Sequence, residues 1–179
     1  LSPITGPAPL PANYTIAPQT GCPNNTASRA VTVWGVSNGG TITANQTVCE
    51  SATPSVTLSG FRGTIQDWEV QVNGGGFTSL GQNTATIIPS VPIVASAQTI
   101  YEFRALVQNG PVCASVYSPI SRITVNPRPT SSVLSGSTTI CRGSTTNLVV
   151  TITGGVAPYQ VRYNPGNILV AGYNSGANI

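Results

Sequence analysis

Four cysteines, four carboxylates and no histidine set the chemistry open to this 179-residue chain. Without an imidazole, neither a Ser-His-Asp nor a Cys-His arrangement can form, because the nucleophile has no base to take its proton. Asp67 and Glu69 stand two residues apart on one face of an alternating run, a spacing that suits a carboxylate pair or a calcium ligand set. A glycosidase pair also needs an apolar pocket that raises one pKa, and no such surround is visible. The simpler reading is a solvated strand face on which Glu69 meets Arg104 across neighbouring strands. No enzymatic activity is expected. All four cysteines, Cys22, Cys49, Cys113 and Cys141, are assigned to disulfides in an oxidising compartment, so no metal and no cofactor is expected either.

Binding chemistry has two candidate aromatics. Trp34 and Tyr173 could form a platform for glycans, although a Trp in an alternating run more often packs inside a domain or between domains. Only 6% of residues are charged, against roughly 25% in ordinary soluble domains. The seven arginines run from Arg29 to Arg162 without a cluster, so no nucleic-acid footprint exists. The most apolar run, 87–97, is cut by Pro89 and Pro92, which excludes a membrane-spanning helix. Leu1–Pro11 lacks the basic start and apolar run of an export signal, so any such signal is expected to have been removed already or to lie upstream. Three sequons, at Asn13, Asn24 and Asn45, matter only where asparagine is glycosylated.

The elements that must position these residues are strands. Fifteen prolines and nineteen glycines cut the chain into short alternating runs at the spacing of an all-β sandwich, and helical periodicity is nowhere sustained. In Tyr101–Val107 the residues Tyr101, Phe103, Ala105 and Val107 face one way, with Glu102 and Arg104 opposite. Trp68, Val70 and Val72 likewise share a face, which makes Trp68, Tyr101 and Phe103 the core candidates. Asn73 to Gly76 supply the positive φ of a hairpin turn. Residues 39–127 read as one complete domain of seven or eight strands. Residues 1–38 hold only a proline arm and two strands, and 128–179 open like a second domain without closing it.

The cysteine spacing explains these fragments. Cys49 and Cys141 are 92 residues apart, Cys22 and Cys113 are 91 apart, and 38 plus 52 flanking residues nearly equal the 89 of the complete domain. Residues 1–38 are therefore read as the C-terminal strands of a split domain, and 128–179 as its N-terminal strands, completed by residues 1–38 of the next unit. Such a contact is head-to-tail and does not close, so it makes a fibre or a tandem array. Two other readings stand beside it: a fragment with frayed half-domains, and cysteines paired across the linkers as Cys22 with Cys49 and Cys113 with Cys141.

The phrases GTITANQTVCESATPSVTLSG, DWEVQVNGGGFTSL, YEFRALVQNGPVCASVYSPISRITVNP and SGSTTICRGSTTNLVVTITGGVAPYQVRY resemble the tandem Ig-like and PKD-like repeats of Bacteroidota surface adhesins. Those of the gliding-motility type are exported by type IX secretion. The resemblance implies tandem Ig-like β-sandwiches, one complete and one split between the chain's two ends. It implies a disulfide between Cys49 and Cys113 within the domain, and the two-domain period predicts Cys141 bonded to Cys22 across the unit boundary. It further implies an extracellular, cell-surface filament or adhesin stalk whose partner is itself, head-to-tail, with glycans or surfaces as other possible partners. The alternative function is a carbohydrate-binding module of a secreted protein.

Overall fold

The computed structural model describes residues 10–16, 27–94, 96–164 and 166–179. Among them the chain forms strands and no helix. The strands are β1 (Leu10–Ile16), β2 (Ala27–Val33), β3 (Thr41–Ile42), β4 (Gln46–Cys49), β5 (Val56–Ser59), β6 (Thr64–Val72), β7 (Thr78–Ser79) and β8 (Thr86–Ile87). They continue as β9 (Thr99–Gln108), β10 (Val116–Tyr117), β11 (Ser121–Asn126), β12 (Pro129–Ser135), β13 (Val149–Gly154), β14 (Tyr159–Tyr163) and β15 (Ile168–Tyr173).

Strands β3 to β11 build a sandwich. One sheet runs β4-β11-β9-β6-β7, with β10 added to β9, and the facing sheet runs β3-β5-β8. Strict alternation in β9 buries Thr99, Tyr101, Phe103, Ala105 and Val107 against Val56 and Leu58 of β5 and Ile87 of β8, and β11 adds Ile123 and Val125. Each such large apolar side chain contributes about 1.5–3 kcal/mol by leaving water, which is what holds two short-stranded sheets face to face. Trp68 is 0% exposed at the centre, and its indole Nε1 donates to the Thr84 carbonyl at 2.9 Å. Tyr101 and Phe103 are 5% and 1% exposed, with rings stacked 6.3 Å apart.

One local feature escapes simple alternation. Ile65 and Trp68 both face inward although they stand three positions apart, because the β6–β9 register shifts between Ile65 and Asp67. Pure alternation would have turned Ile65 to solvent; the bulge restores it to the core. At the far end of β6, Asn73 (φ 49°) and Gly74 (φ 76°) turn the chain, and Asn73 closes on β9 through its N–H to the Ile100 carbonyl and its Oδ1 from the Ile100 N–H, both 2.8 Å.

The remaining strands pair only two by two: β1 with β2, β12 with β13, and β14 with β15. The last two pairs are tied together by Tyr173 and by Ser175, whose hydroxyl bonds the N–H and carbonyl of Ile152.

Candidate functional site

The carboxylates are engaged in surface packing. Glu69 and Arg104 stand directly opposite on β6 and β9, and the guanidinium meets Glu69 Oε2 at 2.7 and 2.8 Å. The same guanidinium carbon lies 3.8 Å from the ring centres of both Phe77 and Tyr117, while the Tyr117 hydroxyl donates to Glu69 Oε1 at 3.1 Å. Arg104 is thus held between two rings and one carboxylate, a clamp across β6, β9 and β10. Glu102 is held by Arg122 at 2.7 Å. Asp67 Oδ1 is buried without a hydrogen-bond partner, and among the described residues no group of three or more cysteine or carboxylate side chains is gathered to hold a metal ion.

Cys49 and Cys113 do not lie where the resemblance puts them. Cys49 ends β4, opposite Asn126, where the chain leaves the sandwich; the next N–H, of Glu50, donates to the Asn126 carbonyl at 2.9 Å. Cys113 follows β9 at the opposite end, where the chain enters. Its carbonyl accepts from Gln108 Nε2 at 2.8 Å, and its thiol donates to the Gly35 carbonyl at 3.6 Å. The ten residues of β9 run between these two ends, a span of about 30 Å. A disulfide between Cys49 and Cys113 is therefore ruled out, since bonded cysteines have Cα atoms within about 7 Å. Both are free thiols, as is the exposed Cys141 in the connection from β12 to β13. Cys22 lies outside the described residues, so its expected bond to Cys141 does too.

The two aromatics separate. Tyr173 is 3% exposed, and its hydroxyl donates to the Val150 carbonyl at 2.9 Å while accepting from the Val150 N–H; it also contacts the Ala177 carbonyl. It is a buried strut and not a member of a glycan platform. A tyrosine that alternation places on either face goes inward here because the backbone of β13 offers its hydroxyl both a donor and an acceptor. Trp34 is half-buried beside a cleft of about 560 Å³ and lies flat against Gly110. A Cβ at Gly110 would sit 2.2 Å from the indole, and its φ of 79° also favours glycine. Beside it, Asn109 Nδ2 donates to the Gly35 carbonyl at 2.8 Å, and the Ser37 hydroxyl donates to the Ala114 carbonyl at 2.6 Å. Trp34 to Ser37 are thereby fastened to the turn after β9, which fixes the junction between β2 and the sandwich.

Among the described residues, the strands of the flanking hairpins are each paired with another strand on one edge only. In the sandwich, Val70 of β6 stands opposite Thr78 of β7, and the other edge of β6 pairs with β9 from Thr64 to Val72. The hairpin β14–β15 repeats that first pairing 91 to 92 residues on, with Val161 opposite Val170. Yet β14 has no strand on its other edge among the described residues. Likewise β1–β2, with Leu10 opposite Val33, matches β9–β11, with Tyr101 opposite Ile123, to within one residue at the same spacing. Strand β4 exists through parallel pairing with β11, whereas its counterpart Thr138–Cys141 has no strand pairing. Apolar surface is open in this part of the chain: Ile140 is 47% exposed and Ile168 46%, and every residue of β12 is exposed.

Residues 38–127 match the family described as Domain of unknown function (DUF8696). No curated protein and no solved structure matches the chain.

Proposed function

The chain belongs to the Domain of unknown function (DUF8696) family, whose match takes in half of its 179 residues, and from that premise we propose that it is a structural repeat unit of an extracellular filament or adhesin stalk. One observation carries this reading: a complete sandwich is flanked by two incomplete pieces, and each piece matches the part of the sandwich that the other lacks. In this reading β1–β2 of one copy completes β12 to β15 of its predecessor, with β1 antiparallel to the free edge of β14 and β2 parallel to Thr138–Cys141. Residues 1–38 and 128–179 are then the halves of one Ig-like or PKD-like domain.

Strand pairing of this kind satisfies a row of backbone donors and acceptors and buries two apolar faces at once. The contact is heterologous, so it propagates into a line and does not close into a ring. Scarce charge, abundant Ser, Thr and Asn, and four cysteines fit a secreted, surface-exposed assembly of the adhesin type. The rival reading, a carbohydrate-binding module, loses Tyr173 to the interior of the C-terminal piece, which favours the structural one.

Sedimentation across a range of chain concentrations tests the proposal. Growth from monomer to an open-ended series of oligomers is the expected result; a monomer at every concentration overturns it.

A further inference from the structure

We propose that Cys141 of one copy forms a disulfide with Cys113 of the next, so that successive units are joined covalently at the point where the completed domain meets the following sandwich. This inference rests on the head-to-tail reading above.

The argument starts from the intact sandwich, where both halves of the relevant contact are visible. Cys49 stands opposite Asn126 at the end of the parallel β4–β11 pair. Moving by the 91 to 92 residues that relate the two domains carries Cys49 to Cys141 and Asn126 to Gly35 or Trp34. In the completed domain Cys141 is thus a lateral neighbour of Trp34 or Gly35 in the next copy, at the inter-strand spacing of about 5 Å. Cys113 of that next copy already sits there, its thiol 3.6 Å from the Gly35 carbonyl. Two cysteines of different copies thus converge on one residue, the approach that a disulfide between them requires.

The pairing also accounts for features that an in-domain bond does not. Cys113 is held at the entry of the sandwich by Gln108 Nε2, and the Trp34 to Ser37 segment is pinned to the same turn, so the thiol is presented at a fixed junction. Cys141 is exposed, and Ser144 N–H closes a turn on its carbonyl at 3.0 Å. Within one chain the two are kept apart, since β9 runs between Cys113 and the exit of the sandwich and β12 carries the chain on to Cys141.

Formation needs an oxidant, and a small-molecule disulfide such as oxidised glutathione suffices. The thiolate of one cysteine attacks it, releasing one glutathione thiol and leaving a mixed disulfide. The partner thiolate then displaces the second glutathione, so two protein thiols are oxidised and one glutathione disulfide is reduced to two thiols.

The experiment uses the full chain carrying Cys22→Ser and Cys49→Ser, leaving Cys113 and Cys141 alone. Equal amounts of nitrogen-14 and nitrogen-15 protein are mixed, oxidised with glutathione disulfide, digested with trypsin and analysed by mass spectrometry, with sedimentation run in parallel. The expected result is a ladder of multiples of 18.3 kDa on a non-reducing gel, collapsing on reduction, with the Cys113 and Cys141 peptides linked as mixed-isotope pairs. Adding Cys113→Ser abolishes the ladder while oligomers persist in sedimentation. Oligomers without the linked peptides overturn the disulfide and leave the head-to-tail reading standing. Linked peptides of one isotope only, showing a bond within a chain, overturn it as well. Absence of both oligomers and links overturns both.

Discussion

Val48 lies opposite Val125 in the parallel pairing that closes one edge of the sandwich, and the residue one period beyond Val48 is Ile140, exposed and outside any strand. A strand of four residues forms in one place and not in the other because β4 has β11 beside it, whereas Thr138–Cys141 has no strand paired with it among the described residues. The difference lies in the partner and not in local propensity, since TVC and TIC are close equivalents.

Ile140→Asp is therefore predicted to block assembly by placing a charge where a strand must pack. Stability of the 39–127 sandwich should change by no more than about 0.5 kcal/mol, since the residue lies outside it. Sedimentation read beside urea unfolding checks both parts, and Ile140→Val should assemble normally. Assembly of the Asp variant at the parental concentration would contradict the prediction.

Trp68→Ala is predicted to cost about 3–5 kcal/mol, through the cavity it leaves and the Thr84 carbonyl it orphans. Trp68→Phe should cost less, since the ring volume is partly kept and only the hydrogen bond is lost outright. Urea unfolding measures both, and equal costs would contradict the cavity argument, since both variants lose the hydrogen bond and only the retained ring volume distinguishes them.

The Arg104 clamp predicts coupling beyond an ordinary surface ion pair. Glu69 and Arg104 side chains are 19% and 25% exposed, so solvent screens their attraction in part. Two ring contacts at about 0.5–1 kcal/mol each add to it. A double-mutant cycle on Arg104→Ala and Tyr117→Ala should show about 0.5–1 kcal/mol of coupling that survives in high salt, whereas the Glu69→Ala cycle should weaken with salt. Zero coupling to Tyr117 would contradict the clamp.

Tyr101 gives a pH dependence with a definite sign. Burial raises its pKa above the ordinary 10.0, and its hydroxyl donates to the Pro92 carbonyl at 2.6 Å. Above pH 10 the unfolded chain gives up this proton while the folded chain keeps it, so the folded state binds more protons and stability falls as pH rises. Tyr101→Phe should lose about 1 kcal/mol at neutral pH and show a shallower decline above pH 10, read by urea unfolding at each pH. An unchanged slope would contradict the assignment.

Much of the sandwich was legible because alternation maps directly onto faces. Tyr101 to Val107 read inward and outward in turn, and Asn73-Gly74 marked its own turn by the need for positive φ. The bulge after Ile65 was not legible, since Gln66 carries no glycine or proline signal and only the opposing register with β9 shows it. Spacing related Cys49 to Cys141 and Cys22 to Cys113, yet which cysteines approach one another depends on which end of β9 each occupies, and one-dimensional spacing does not carry that. Tyr173 stayed open between a glycan platform and packing for a similar reason. Its burial follows from the Val150 backbone reaching it across 23 residues, a contact no local pattern encodes.

Hydrogen exchange at the backbone amides of Tyr159–Tyr163 that point away from β15, followed as the chain is concentrated, tests strand completion most directly. The account predicts that these amides exchange freely in dilute solution and become protected as oligomers form, together with those of Thr138–Cys141. Oligomers that form while these amides still exchange freely would contradict it.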